Sequence, residues 1–328
     1  MGPCNYSVAI RTLGTTGSKY ARLLDSIAKQ SIQPQEVIVV LPYGYPLPDE
    51  RLGWERFVFS PKGMVSQRVA GFDTCQSDYI LALDDDVEFD ADFVEQLFDT
   101  ISKTGAQLAS PIVKEFNNRG GYSSYLKLLT RWLMGSSITR KLHEKFLVKV
   151  WRTGGFIVNT NIKKGCQYYN QSGHGTCVFG LASAIKGISF GEEMWLQDTV
   201  YALPDDMLLY YKLYLAGNKI AMNMDVRFLH LDAGATLANK DKHIDNIYAS
   251  ARNGVIFWHR FIYLIGDKRW PSSLCFAQRV FFTSFFALLK GIKNGDFKIF
   301  KTYVKAYGDG FKYIHSDKYR QLNKVSKN

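Results

Sequence analysis

The sequence has little of what disulfide-bonded or zinc-stabilised proteins are built from. It contains only five cysteines, an odd number, scattered over 328 residues: Cys4, Cys75, Cys166, Cys177 and Cys275. No CxxC pair and no Cys/His cluster with the spacing of metal ligands occurs. Structural zinc sites and disulfide frameworks both depend on such spacings. We therefore interpret the cysteines as reduced thiols, as in a cytosolic protein.

Long apolar runs and nucleotide fingerprints are also missing. The most apolar stretch, residues 280–289, is bounded by Arg279 and Lys290. It is shorter than the roughly 20 residues of a membrane-crossing helix. The chain enters strand-like sequence almost at once, so we expect no signal sequence. Gly14 and Gly17 do not form GxGxxG, which excludes the dinucleotide-binding fingerprint.

What the chain does have is a surplus of positive charge. Lys and Arg number 41 and Asp and Glu 30, for a formal net charge of +11. Such a surplus suits an anionic partner, whether a nucleotide, a nucleic acid, an acidic glycan or a membrane surface. The basic residues are dispersed and no DNA- or RNA-binding motif occurs, so we expect no nucleic-acid partner.

Apolar runs alternate with amphipathic segments in the first third of the chain. Strands are predicted at residues 7–10, 36–41, 56–59, 79–83 and 106–113, and helices at 19–30, 65–75 and 92–102. This order is typical of βαβ units, and it predicts a parallel sheet.

Three consecutive carboxylates follow the most apolar of these strands. Residues 79–83 read YILAL, and Asp84, Asp85 and Asp86 come next. Alternation along an extended chain points Asp84 and Asp86 to one side and Asp85 to the other. Two such carboxylates repel each other unless a cation lies between them, and a hard divalent ion that binds phosphate oxygens would serve. The alternative is a solvated acidic turn before the next helix.

The second half of the chain contains a basic insertion and a second pair of acids. Residues 122–150 carry Lys and Arg among Leu, Trp and Phe, and predict a basic amphipathic insertion, either a plain surface helix or a segment over a membrane or active site. A helix is predicted from Pro204, with Asp205 and Asp206 in its first turn as caps or as site residues. A strand over 225–231 reaches His230, a core residue or a ligand.

The C-terminal part is aromatic and basic. Residues 281–314 read FFTSFFALLKGIKNGDFKIFKTYVKAYGDGFKYI. The pattern predicts amphipathic helices with Lys on one side and Phe or Tyr on the other. Such helices suit a membrane interface or a partner groove, or pack on the domain with a solvated basic face.

Taken in order, these stretches resemble the family-two glycosyltransferases, whose nucleotide-binding architecture is the GT-A fold. SVAIRT resembles the family's opening SVVIPT, and RVAGFDTCQSDYILALDDDV resembles RNxGIxxAxGDYIxFLDxDD. PDDMLLYYKLYLAGNKI resembles EDxxLxxRxxxxGxKI, and Arg252-Asn253 resembles a late Arg-Asn pair. The resemblance covers most of residues 7–260.

The resemblance implies an α/β fold of the GT-A type: a mixed, mostly parallel sheet flanked by helices, with a helical basic insertion and a helical C-terminal extension. Residues 1–110 would form the nucleotide-sugar-binding half. Residues 111–232, with the insertion at 122–150, would form the acceptor-binding and catalytic half. Residues 233–328 would be the C-terminal helical extension.

The resemblance also implies roles for single residues. Asp86 and His230 would hold Mg²⁺ or Mn²⁺, which neutralises the leaving diphosphate. Asp206 would be the general base on the acceptor hydroxyl, with Asp205 as its neighbour. The donor-binding residues would be Thr12, Arg68, Asp84, Asp85 and Arg252. The arginines suit this role because guanidinium groups match phosphate oxygens.

The sequence departs from the family pattern at four places. No acid follows the second strand, where members bind uracil; Tyr43 stands there and would stack on the base instead. Arg11 replaces the usual Pro, Val69 the usual Asn, and Asp205 the usual Glu.

The expected activity is inverting, metal-dependent transfer of a sugar from a nucleotide-diphosphate donor to a glycan or polyprenyl-lipid-linked acceptor, in polysaccharide biosynthesis. The expected location is cytoplasmic, peripheral on the inner face of the plasma membrane. Two alternatives remain at this point. A sugar-phosphate nucleotidyltransferase would use the Gly-rich segment at residues 11–19, and a non-catalytic nucleotide-sugar-binding or scaffold protein would account for the missing acid near Leu41.

Overall fold

The computed structural model describes residues 4–112, 129–130, 132–135, 137–139, 145–159, 162–231, 240–266 and 268–325. Within these ranges the chain forms an 11-stranded sheet with helices on both faces, a two-stranded sheet, and a group of C-terminal helices. The predicted mixed, mostly parallel architecture is confirmed.

The strands of the large sheet run in the order β3-β2-β1-β4-β11-β6-β12-β10-β8-β9-β7, and β13 pairs with β5 in the small sheet. Their bounds are β1 Tyr6–Arg11, β2 Glu36–Pro42, β3 Arg56–Ser60, β4 Tyr79–Asp84, β5 Val87–Phe89, β6 Leu108–Pro111, β7 Ser137–Thr139, β8 Phe146–Val150, β9 Phe156–Asn159, β10 Tyr168–Asn170, β11 Cys177–Leu181, β12 Ile220–Asn223 and β13 Phe228–His230. β3, β2, β1 and β4 are parallel, whereas β11 is antiparallel to both of its neighbours, β4 and β6.

The helices are α1 Ser18–Ala28, α2 Met64–Thr74, α3 Phe93–Thr104, α4 Ala182–Gly187, α5 Asp205–Leu215, α6 Lys240–Trp258, α7 Arg269–Asn294, α8 Lys298–Ile314 and α9 Asp317–Arg320. A 3-10 helix spans Phe190–Asp198, and a π-helical turn spans His259–Tyr263. The helices predicted around the first four strands lie within a few residues of α1, α2 and α3.

The central strand β4 is buried on both faces, as its continuous apolar run predicts. Ile80 and Ala82 belong to the core that also contains the buried residues of α2 and α5. Leu81 and Leu83 belong to the core on the opposite face, with the buried residues of α1 and α3. Because both faces of β4 are packed, the position of its last residue, Asp84, is fixed, and so is the start of the turn that follows.

The prediction of a helical insertion over residues 122–150 is wrong in its second half. Residues 137–139 and 146–150 are β7 and β8 of the large sheet, and helix occurs only at 129–130 and 132–133 among the residues described there. The segment FLVKV of β8 contains Phe146, Val148 and Val150, residue types that favour strands, and its pairing with β9 and β10 outweighs the spacing of the lysines. The rest of the insertion, including Lys127 and Arg140, lies outside the described residues.

The C-terminal helix α7 is longer than the apolar run at its centre. It has 26 residues, and among the described helices it alone is long and apolar enough to cross a membrane by length and composition. The sequence predicts no segment long enough to cross a membrane because the apolar run at 280–289 is short. The helix is longer than this run because it continues on both sides of it.

A fully buried carboxylate joins α5, the 3-10 helix and the π-helical turn. Glu193 is 0% exposed. It accepts hydrogen bonds from Trp195 Nε1 at 2.6 Å and Lys212 Nζ at 2.8 Å. The guanidinium of Arg260 lies 3.3 Å away. A buried carboxylate is stable only with such partners, so Glu193 fixes the elements that lead into α5.

We expect Glu193→Ala to lower the free energy of unfolding by about 3–5 kcal/mol, because it leaves two cations buried without their main counter-ion. Urea unfolding followed by circular dichroism measures the change. Glu192→Ala is the matched control: this neighbouring acid is one-third exposed, and its loss should cost no more than about 1 kcal/mol. Equal losses in the two variants would contradict the role assigned to Glu193.

Candidate active site

The candidate site lies at the edge of the sheet where β1 and β4 end. The two strands are parallel and in register, with Arg11 beside Asp84, so their last residues lie next to each other. The backbone N–H of Asp84 donates to the carbonyl of Thr176 at 3.2 Å, which brings the start of β11 to the same edge. Ligands of open α/β sheets bind at this edge.

Arg11 binds the first acid of the triplet through two hydrogen bonds. Its Nε and Nη2 donate to Asp84 at 2.5 and 3.1 Å. Burial works to raise the pKa of Asp84, but the charge and hydrogen bonds of Arg11 outweigh it, so this pKa lies below its usual value. Asp84 is therefore ionised at neutral pH, with a protein cation as its partner.

This pairing corrects the sequence argument about the triplet. β4 ends at Asp84 and a turn follows, so strand alternation does not extend to Asp86. Asp84 and Asp86 have different partners, and the repulsion between them does not by itself require a metal ion. The presence of Arg11 where the family has Pro is the sequence feature that indicates a protein cation beside Asp84. The spacing of the acids does not indicate it.

Asp85 braces the loop between β1 and α1. Its carboxylate accepts hydrogen bonds from the hydroxyls of Thr12, at 2.5 Å, and Thr16. Burial raises the pKa of Asp85, and these two hydrogen bonds offset only part of that rise. Gly14 lies in the same loop with φ +75°, and a Cβ there would be 2.2 Å from the carbonyl oxygen of Pro46. The loop therefore needs both glycine and the carboxylate.

Asp86 faces His230 across the small sheet. Oδ2 of Asp86 lies 3.0 Å from Nε2 of His230, and the backbone N–H of Leu231 donates to the Asp86 carbonyl at 2.8 Å. Both side chains are mostly buried. Asp232, the neighbour of His230, lies outside the described residues. Within the described part of the chain no group of three or more His, Cys, Asp or Glu side chains is arranged to hold a metal ion.

The second acid pair points at an arginine of α2. Helix α5 begins at Asp205, after Pro204. Arg68 Nη2 donates to Asp205 at 3.2 Å and to Asp206 at 3.3 Å, and Arg11 Nη1 lies 3.5 Å from Asp205. Among the described residues, no backbone N–H donates to either carboxylate, so the interpretation of the pair as helix caps does not account for their placement.

The two acids differ in their access to solvent. The side chain of Asp205 is 1% exposed and that of Asp206 is 36% exposed. Burial, and next the charge of Asp206, raise the pKa of Asp205 to about 6, although Arg68 and Arg11 oppose the rise. The accessible member of the pair is thus Asp206, and Asp205 is the buried neighbour that couples it to the arginines.

Two glycines before β11 allow the chain to pass close to this pair. A Cβ at Gly175 would lie 1.7 Å from Oδ1 of Asp206, and one at Gly173 would lie 2.5 Å from the ring of Tyr210. Sequence reasoning missed both positions. The only available signal was the run of small residues in SGHGT at 172–176.

Several buried polar atoms around the acids have no hydrogen-bond partner within the described residues. They are Nε and Nη1 of Arg68, Nη1 of Arg11, Oγ1 of Thr176 and Oδ1 of Asp205. A cavity of about 10 Å³, about the size of one water, is lined by Arg11, Arg68, Asp84 and Gly175, among others. Unsatisfied buried donors are costly, so guanidinium N–H groups in this position favour an anionic ligand.

Arg252 is not brought into this cluster. Its guanidinium donates to Asp198 at 2.9 Å and to the carbonyl of Trp195 at 3.1 Å, and it stacks on the ring of Tyr313. The amide of Asn253 donates to the carbonyls of Leu196 and Leu203. In this structure the Arg-Asn pair anchors the segment that leads to Pro204, so it positions α5 from behind.

Comparison with known proteins shows a partial family match and a similar fold. Residues 56–160 match the family described as Glycosyl transferase family 2. The fold is similar to the crystal structure of S. aureus TarS 1-349, with 15% identity and a TM-score of 0.51 over 94% of this chain and 80% of that one. The crystal structure of S. aureus TarS 1-349 in complex with UDP-GlcNAc is similar at 14% identity and a TM-score of 0.50, over 94% and 81%. No curated protein sequence is significantly similar.

The raised pKa of Asp205 predicts a pH dependence of stability. An unfolded aspartate titrates near pH 3.9, so between about pH 4 and 6 the folded state binds more protons than the unfolded state. Stability contributed by the neutral acid is therefore present below pH 4 and lost as the pH rises to 6.

Relative to Asp205→Asn, which cannot titrate, the parent should lose roughly 1.4 kcal/mol for each unit of pKa difference over this range. Urea unfolding at pH 4, 5, 6 and 7 measures the difference. Asp225→Asn, at an exposed position, should run parallel to the parent. A constant difference between parent and Asp205→Asn would contradict the assignment.

Proposed function

We propose that the chain is a glycosyltransferase that moves a sugar from a nucleotide-diphosphate donor to a hydroxyl of a glycan or polyprenyl-lipid-linked acceptor, with inversion. The match of residues 56–160 to glycosyl transferase family 2 and the GT-A fold support this proposal. The observation that carries the proposal is the convergence of Asp84 and the Asp205–Asp206 pair on Arg11 and the buried Arg68 at this edge of the sheet.

Asp206 is the proposed general base. It is the exposed member of its pair, and its Oδ1, which Arg68 binds, lies close to Gly175, where no side chain covers the carboxylate. A carboxylate in hydrogen-bond reach of the acceptor hydroxyl removes its proton as the oxygen attacks the anomeric carbon. Attack from the face opposite the leaving diphosphate inverts that carbon. Asp205, held by Arg68, fixes the position of the base.

The donor is proposed to bind between the arginines and the triplet. The Arg68 N–H groups without protein partners suit diphosphate oxygens, and ionised Asp84 suits a hydroxyl of the ribose or sugar. Thr12 and Asp85 are proposed to act through the loop they brace. Arg252 is proposed to support the donor site from behind the 3-10 helix rather than by contact with phosphate.

A Mg²⁺ or Mn²⁺ ion is proposed to be held by Asp86 and His230. The pair fits such an ion: one carboxylate and one imidazole lie 3.0 Å apart beside the proposed donor site. Ions of this class often take one or two protein ligands and complete their shell with substrate phosphates and water, and imidazole favours the transition metal of the two. When bound, the ion supplies Lewis-acid neutralisation of the leaving diphosphate.

For the nucleobase we propose stacking on Tyr43, which follows β2 and is 65% exposed. Since the similar TarS structure contains UDP-GlcNAc, a UDP-sugar is the first donor to test. The proposed setting is the cytoplasmic face of a membrane, where lipid-linked acceptors lie, and the net charge of +11 suits that surface. The nucleotidyltransferase alternative gains nothing from the β1–α1 loop, because its Arg11, Thr12 and Thr16 are bound to Asp84 and Asp85.

The test of the base is Asp206→Asn, assayed for transfer of sugar from UDP-sugars to an acceptor panel. We expect kcat to fall by about 10²–10⁴-fold, the usual contribution of a positioned base, while donor binding by calorimetry changes little. Asp225→Asn controls for the loss of one surface charge. Turnover like that of the parent in Asp206→Asn would exclude the residue as base.

The metal assignment is tested with the parent and with Asp86→Ala and His230→Gln. The parent should lose activity in EDTA and regain it with Mn²⁺. Each variant should need at least about tenfold more Mn²⁺ for half-maximal activity, because one ligand is missing. The thermal shift of the chain with Mn²⁺ and UDP should shrink in both variants. Full activity of the parent in EDTA would contradict the assignment.

A further inference from the structure

Helix α7 has a row of large apolar side chains on its outer side. Their exposed fractions run from 39% at Phe285 to 74% at Trp270. The row consists of Trp270, Leu274, Phe281, Phe285, Leu289 and Ile292, here called the α7 stripe. Single exposed apolar residues are ordinary, but a continuous row along one helix marks an interaction surface.

The opposite side of α7 is packed on the protein along its length. The ring of Phe276 stacks on Trp258 with centroids 4.3 Å apart, and Arg279 Nη1 donates to the carbonyl of Thr153 at 3.0 Å. Further along, Thr283 hydrogen bonds to Tyr307 of α8 at 2.8 Å. A helix held in this way has only its outer side free to contact lipid. The α7 stripe therefore suits contact along a surface, and α7 is not placed to cross a bilayer.

The stripe is long and is extended by a neighbouring segment. The 26 residues of α7 span about 39 Å, and the side chains at 270, 274, 281, 285 and 292 recur at helical spacing on one side. Gln278 Nε2 lies 3.4 Å from the carbonyls of Trp132 and Leu133. Trp132 and Leu129 are themselves 53% and 50% exposed.

The charged residues of α7 itself are all basic. Residues 269–294 contain no Asp or Glu. Basic residues stand at both ends of α7, Lys268 and Arg269 at the start and Lys290 and Lys293 at the finish. The adjoining helix α8 presents exposed lysines at Lys301, Lys305 and Lys312. The surface thus combines aromatic and aliphatic side chains with a basic surround.

We propose that the α7 stripe docks the protein on an anionic lipid bilayer. Aromatic and aliphatic side chains would enter the boundary between headgroups and acyl chains, and the lysines would bind lipid phosphates, as in interfacial amphipathic helices. A second copy of the chain fits less well. A two-fold contact places the stripe on itself, and in either direction the ends of α7 would bring like charges together with no acid on the helix to pair them.

The test is co-sedimentation of the full chain with vesicles, without donor or acceptor, so that the outcome does not depend on sugar transfer. Vesicles of phosphatidylcholine with about 30% phosphatidylglycerol, an anionic lipid, are compared with vesicles of phosphatidylcholine alone. We expect the parent to bind the anionic vesicles and to lose binding as salt is raised.

Phe281→Ser with Phe285→Ser should weaken binding at least about tenfold, because two aromatic side chains that would enter the bilayer are lost. Val200→Ser with Ile162→Ser is the matched control, since these residues are 75% and 45% exposed outside the stripe. Lys301→Glu with Lys305→Glu should remove the preference for anionic lipid. On binding, the fluorescence of the parent should shift to the blue, and Trp270→Phe should lose most of that shift.

Three results would overturn the proposal. One is a parent that stays in the supernatant as a monomer. Another is a double Phe variant that binds vesicles as tightly as the parent. The third is a parent that does not bind vesicles and is a dimer while the double Phe variant is a monomer, which would make the stripe an interface between copies.

Discussion

Two buried guanidinium groups hold the acids of the candidate site in place. Arg11 joins Asp84 to Asp205, and Arg68 joins Asp205 to Asp206, so that negative and positive charges alternate across the strand ends. Without the arginines, three carboxylates in a largely buried corner would repel one another and take up protons. This alternation lets the protein keep Asp84 ionised and Asp206 exposed at the same edge of the sheet.

The fold supplies the rigid surroundings that such a cluster requires. β1 and β4 set Arg11 beside Asp84 by their register, and α2 packs against the same strands to deliver Arg68. Asp205 and Asp206 arrive on the first turn of α5, whose approach is fixed by Asn253 and by the buried contacts of Glu193 with Lys212. Because Gly175 has no side chain, the segment that leads to β11 can pass close to Asp206. Charge, packing and chain path therefore agree at one place, as they do in functional sites built on rigid elements.

The sequence predicted the parts of this arrangement that are governed by local pattern. The apolar run of β4 and the amphipathic period of α1 placed the first strands and helices within a few residues, and the acids at Asp84 and Asp206 were recognised as site candidates. The parts decided by tertiary contacts were not predicted. In the sequence Arg11 stands out only as a departure from a pattern, because its partner Asp84 is 73 residues away in the chain.

Arg252 is a second residue whose contacts the sequence does not predict. An Arg-Asn pair in the sequence gives no direction for the side chain, and here it binds Asp198 and the backbone of the 3-10 helix. The strands β7 and β8 were assigned to a helix because lysines dominate the pattern of that region, whereas pairing with β9 and β10 decides its structure.

The most direct measurement of the central claim is calorimetric binding of UDP and of uridine to the parent and to Arg68→Gln, with Arg56→Gln as an exposed control. If the two guanidinium groups form the diphosphate site, Arg68→Gln should bind UDP at least about tenfold more weakly while uridine binding changes little. The melting temperature of Arg68→Gln should fall, because Asp205 and Asp206 lose a buried counter-ion, so binding is measured well below that temperature. Equal affinity of the parent and Arg68→Gln for UDP would contradict it.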